Sequence, residues 1–88
     1  AALESRVKER EQLLKRNLER LRATERPQVQ AQERQRIIRD RFEAGIAPVN
    51  DVLRASTAML DAEANSVSAL VDTMVAGAML RRALGRTP

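Results

Sequence analysis

The chain has 88 residues, enough for one small domain, with a formal net charge of +4 and neither Cys, His, Trp nor Tyr. Those absences remove thiol chemistry, the commonest zinc ligands and the usual general base. The positive charge invites a nucleic-acid reading, but twelve of the basic residues lie in 1–45 among eight acids, with signs interleaved from Glu4 through Arg20. Interleaving marks a solvated helix face with i,i+4 pairs rather than a basic stripe, and no aromatic series is present for base stacking, so no nucleic-acid partner is expected.

Helix formers dominate from Ala2 to about Ala44, and strand signals are nearly absent. Leu3, Val7, Leu14, Leu18 and Leu21 predict a narrow seam of coiled-coil type. The seam thins over Arg22–Arg36, where Ala23, Val29 and Ala31 are the apolar residues, and Pro27 lies in that zone. A proline inside a helix deletes one hydrogen bond and clashes with the preceding turn, so a kink or break is expected at Glu25–Pro27. Apolar character returns at Ile37, Ile38 and Phe42.

The stretch RFEAGIAPVNDVLRA, residues 41–55, breaks this rhythm. Gly45 readily takes positive φ and ends a helix; Pro48 suits the start of the next. Asn50 and Asp51 fall in that first turn, where they complement the helix dipole. The expected organisation is a first long helix over 1–44, a tip turn at 45–48, a second long helix over 49–85 and a tail at 86–88.

The second helix carries two apolar faces. One runs through Val49, Leu53, Leu60, Val67, Leu70 and Met74. The other runs through Val52, Ala55, Met59, Ala62, Ala69, Ala76, Leu80 and Ala83, and its small residues let another helix approach closely. Two contact faces on one long helix predict self-association. Gly77 is read as a close packing point between helices, and Arg81, Arg82 and Arg86 gather at the C-terminal end, where cations complement the dipole. The fold class is therefore all-α: a long antiparallel coiled-coil hairpin, expected to form part of an α-helical barrel or tunnel. No apolar run reaches transmembrane length and no signal peptide pattern is visible. The chain starts at Ala rather than Met, so a processed product or a piece of something larger is expected.

Gly45-x6-Val52-Leu53-x-Ala55-x6-Ala62, closing on Ala83-Leu84-Gly85, resembles the last coiled-coil hairpin of TolC-family outer-membrane factors, the exit ducts of bacterial efflux pumps and type I secretion systems. That family often shows an arginine or glutamate, an aromatic, two residues and glycine, then "DVLDA" or "ELLDA". The corresponding places hold Arg41, Phe42, Glu43, Ala44 and Gly45, then Asp51-Val52-Leu53-Arg54-Ala55. Arg26-Pro27-Gln28 resembles the upstream "LPQA" element. The similarity is good over residues 37–85 and weaker over 1–36. Arg54 stands where an acid is frequent, the second helix lacks aromatics common after its middle, and the family's β-strands and first structural repeat are missing.

The resemblance implies a periplasmic, outer-membrane-associated protein of a Gram-negative bacterium that forms a homotrimer in its parent form. Its partners would be a periplasmic adaptor protein and an inner-membrane pump, with membrane contact only through parts absent from this chain. It further implies that Gly45, Ile46, Ala47, Pro48 and Val49 form the tip that docks the adaptor, and that Asp51 matches an acidic ring at the channel entrance. Arg54 either pairs with Asp51 or lines the entrance and reverses the local sign. From the residues alone, Asp51 is equally a first-turn dipole residue. The alternative function is a generic coiled-coil oligomerisation or scaffold module.

No catalytic constellation, cofactor site or metal site is expected. Asp61 and Glu63 stand two apart and face different directions on a helix. Asp40, Glu43 and Asp51 flank the turn and could weakly hold a cation, in a site that needs a convergence the spacing does not promise.

Overall fold

The computed structural model describes residues 2–85, so Arg86 and the tail lie outside the described residues. Among the described residues there are three helices and no strand: α1 (Ala2–Ala23), α2 (Glu25–Glu43) and α3 (Val49–Ala83). The fold is all-α, its helices pairing antiparallel within each of two compact units. The helix ends carry the charges that the dipole favours, Glu4, Glu25 and Asp51 in first turns and Arg22, Arg41 and Arg82 in last turns.

Helical order is interrupted between α1 and α2 at Thr24, just upstream of the span expected from the proline. Pro27 itself sits in the first turn of α2, where a missing N–H is tolerated. Helical bonding resumes at once, the Gln28 amide donating to the Thr24 carbonyl at 3.2 Å.

The chain divides into two compact units. In the first, residues 2–23 pack with residues 67–85 of α3. Arg10 Nη1 lies 3.8 Å from Met79 Sδ, and Arg20 Nη2 lies 2.7 Å from Asp72 Oδ2. Numbers rise on α1 as they fall on α3, so the pair is antiparallel. Ala69 and Ala76 are fully buried at its centre, at 0% and 1% exposure. Between them the Thr73 hydroxyl lies 2.7 Å from the Ala69 carbonyl and 3.1 Å from the Asn17 carbonyl, so its one proton is shared between its own helix and α1. A threonine hydroxyl reaches a neighbouring helix backbone only where the two helices lie close. Alanine on both sides of Thr73 permits this.

In the second unit, residues 24–66, α2 packs antiparallel on the first half of α3. The Gln35 amide donates to Ser56 Oγ at 3.2 Å, and Ala55 is buried.

In both units the inward positions keep a strict three-four spacing. On α3 they are Val52, Ala55, Met59, Ala62 and Ser66, then Ala69, Thr73, Ala76, Leu80 and Ala83. Facing them on α1 are Val7, Arg10, Leu14, Asn17 and Leu21, and on α2 Gln28, Ala31, Gln35 and Ile38. This is a coiled-coil seam whose layers are small or polar. Among the described residues no large side chain is fully buried. Each buried alanine methyl contributes about 0.8 kcal/mol, so the core of each unit is thin.

Two expectations change. The seam of the first helix includes Val7, Leu14 and Leu21, but Leu3 and Leu18 are exposed, and Arg10 and Asn17 take inward positions. The alanine face of α3 packs inside the hairpin rather than against a further helix, which leaves Val49, Leu53, Leu60, Val67, Leu70 and Met74 outward.

Gly77 is no close packing point. A Cβ built there meets only Arg81 Nη1, at 3.7 Å, an ordinary contact. Gly77→Ala is therefore expected to stabilise the helix by about 1 kcal/mol, a rise of roughly 5 °C in Tm. A thermal melt by circular dichroism checks this.

Candidate docking site at the hairpin turn

The α2–α3 turn is built by a defined set of backbone bonds. Ala44 caps α2, and Gly45 follows with φ of 76°. The Gly45 amide donates to the Phe42 carbonyl at 2.9 Å, and the Ile46 amide to the Arg41 carbonyl at 2.8 Å. This pair of bonds is the Schellman motif, which satisfies carbonyls that the helix end would leave open. The chain then passes through Ala47 and Pro48 into α3, where the Asp51 amide donates to the Pro48 carbonyl at 3.1 Å. A Cβ at position 45 would meet no atom within 4 Å, so glycine is required there by backbone angle and not by space. Gly45→Val puts a β-branched residue at left-handed φ and is expected to destabilise the hairpin by about 1–2 kcal/mol, measured by urea unfolding.

The side chains of the turn point outward. Ile46 is 75% exposed and Val49 is 53% exposed; Pro48 is exposed and Ala47 half-buried. Two aliphatic side chains are thus presented to solvent beside a tight turn whose geometry rests on backbone bonds alone.

Asp51 and Arg54 lie just behind the turn. Both line a shallow cleft with Arg34, Ile38, Ala55 and Ala58. Asp51 is half-buried and Arg54 exposed, and among the described residues no ion pair joins them. The acids around the turn do not converge. Asp40 pairs with Arg36 at 3.3 Å, and among the described residues no group of three His, Cys, Asp or Glu is placed to hold a metal ion. Arg36 also binds Glu33, and this hydrogen bond, with the guanidinium charge second, holds the Glu33 carboxyl below the usual carboxylate range.

A groove on α2 has no counterpart in the reading of the sequence. It is lined by Val29, Glu33, Arg34, Ile37 and Arg41, among others. The signal available was the spacing of Val29 and Ile37, two helical turns apart, inside a stretch that is otherwise strongly polar.

No helix of the described residues is long and apolar enough to cross a membrane. No family model, curated protein or solved structure matches the chain.

Proposed function

We propose that this hairpin is the periplasmic helical portion of a trimeric outer-membrane efflux duct of the TolC kind, its tip turn docking a periplasmic adaptor and gating substrate exit. The observation that carries the reading is the pair of exposed aliphatic side chains, Ile46 and Val49, at a turn that does not need them for its own stability. Exposed apolar groups grouped in this way serve a partner more often than a fold. The spacing from Gly45 through Val52-Leu53-x-Ala55 to Ala83-Leu84-Gly85 adds the resemblance to that family. On this reading Asp51 and Arg54, sharing one cleft behind the tip, set the charge at the duct entrance, and the chain works with an adaptor and an inner-membrane pump at the outer membrane.

The test uses the full-length parent protein and its adaptor. Ile46→Asp is expected to abolish adaptor capture with helicity unchanged. Capture at the level of the unsubstituted protein overturns the docking role.

A second reading, a coiled-coil oligomerisation module, is favoured by the outward face of α3, where Leu53, Leu60 and Val67 are each more than half exposed. Under that reading Ile46→Asp alters no interaction, and association follows substitutions on α3 instead.

A further inference from the structure

We propose that residues 24–66 carry both halves of a side-by-side contact between copies of this chain: the groove on α2 around Ile37 receives Leu53 and Leu60 from α3 of the neighbouring copy. The inference does not rest on the duct reading, because it is drawn from surfaces away from the turn.

The two surfaces match in spacing. Val29 and Ile37 in the groove are 64% and 36% exposed and stand eight residues apart, about 12 Å along the helix. Leu53 and Leu60 are 60% and 64% exposed and stand seven apart, about 10.5 Å. An antiparallel approach that sets Ile37 against Leu53 sets Val29 against Leu60 as well, and keeps the turns of the two copies level.

Charge agrees with the same register. Within the stripe of Leu53, Ser56, Leu60 and Glu63, the charged position is acidic. The register brings Glu63 level with Arg26, which is exposed and lies one turn before Val29 on the same face of α2. The groove's acid, Glu33, is already held by Arg36, while Arg34 and Arg41 carry no ion pair among the described residues. The one complementary charge pair of the register is thus Arg26 with Glu63, just beyond the groove, and no acid of the stripe meets the groove's own Glu33.

One chain cannot satisfy both surfaces. Arg34 lines the groove and also the cleft with Asp51, Arg54 and Ala58, which places the groove on that edge of the α2–α3 pair. Ser56, on the helix face of Leu53 and Leu60, accepts the Gln35 hydrogen bond along the other edge. Different patches on opposite edges make a heterologous contact, which passes from copy to copy until it closes a ring or grows.

The test is mass in solution, by sedimentation equilibrium on the full 88-residue chain. The unsubstituted chain is expected to assemble beyond a monomer. Ile37→Asp spoils only the groove and Leu60→Asp only the stripe, so each variant alone is monomeric with helicity retained. Mixed in equal amounts, the two form a dimer and nothing larger, because one intact groove meets one intact stripe. An unsubstituted chain that stays monomeric to millimolar concentration overturns the proposal, as does continued assembly of either variant. A mixture that fails to combine also overturns it, and points to a two-fold contact or to a different partner. Should either variant lose helicity, the charge pair serves instead: exposed Arg26→Glu and half-buried Glu63→Arg each weaken assembly alone, and both in one chain restore it. Absence of that restoration rejects the contact.

Discussion

Ala69→Leu is expected to cost about 3 kcal/mol of stability, most of what a thin-cored hairpin of this size possesses. Ala69 has no solvent exposure, and its neighbour one turn on, Thr73, shares its hydroxyl proton with the backbone of α1 at 3.1 Å. Three further side-chain carbons at position 69 must either take strained rotamers or push α3 off α1. Overpacking alone costs about 1–3 kcal/mol, and loss of the Thr73–Asn17 hydrogen bond adds about 1 kcal/mol. Ala64→Leu is the control: Ala64 is exposed, and the same chemical change there should stay within about 0.5 kcal/mol. Urea unfolding of the two variants separates packing from helix propensity, since both introduce leucine into one helix. Equal midpoints for them mean that α1 and α3 do not approach closely at Ala69.

This prediction shows which part of the fold could be read from the residues. Alanine at 55, 62, 69, 76 and 83 recurs every seven positions, and that regularity marks a contact face before any coordinates exist. Which partner the face meets was not legible. The opposing positions include Arg10 and Asn17 in one unit and Gln28 and Gln35 in the other, and a search for apolar periodicity skips these residues. It therefore favours Leu3 and Leu18, which stand outside the seam. Polar side chains are tolerated there because alanine on the facing helix leaves room and their polar ends find partners, as the Gln35 amide does in Ser56 Oγ. The proline reading shows a similar limit. Pro27 does mark the interruption, but the ring is accommodated as the third residue of a new helix, so the irregular residue is Thr24.

For the candidate site, the turn was legible and the groove was not. Gly45 and Pro48 punctuate the chain strongly, because few residues accept the φ of 76° that closes this helix. Nothing in a sequence states that Ile46 projects away from both helices; that follows from the Schellman bonds, which fix the backbone direction after Gly45. Val29 and Ile37 are separated by seven residues, among them Glu33, Arg34 and Arg36, and only the helical backbone brings their side chains onto one groove.

Ile46→Asp should separate the turn as structure from the turn as a surface. In the free protein the substitution removes little. Ile46 is 75% exposed, and its structural task is an amide that donates to the Arg41 carbonyl at 2.8 Å, which aspartate supplies equally well. A carboxylate there is disfavoured by the C-terminus of α2 and favoured by the nearby N-terminus of α3, so the dipole effects oppose each other. The net change in stability should remain within about 0.5 kcal/mol, well below that of Gly45→Val. In the docked state proposed for the parent protein the same side chain is covered. Burial of the isoleucine, worth about 1.5–3 kcal/mol, is lost, and an unpaired carboxylate must be desolvated besides. Together these exceed about 3 kcal/mol, a loss of at least roughly a hundredfold in affinity for the adaptor. Binding and circular dichroism on the full-length variant decide the matter together. Weak binding with unchanged helicity supports docking at the tip. A lowered melting temperature means that Ile46 packs within the hairpin, and unchanged binding with unchanged stability leaves the turn as a connection between two helices and no more.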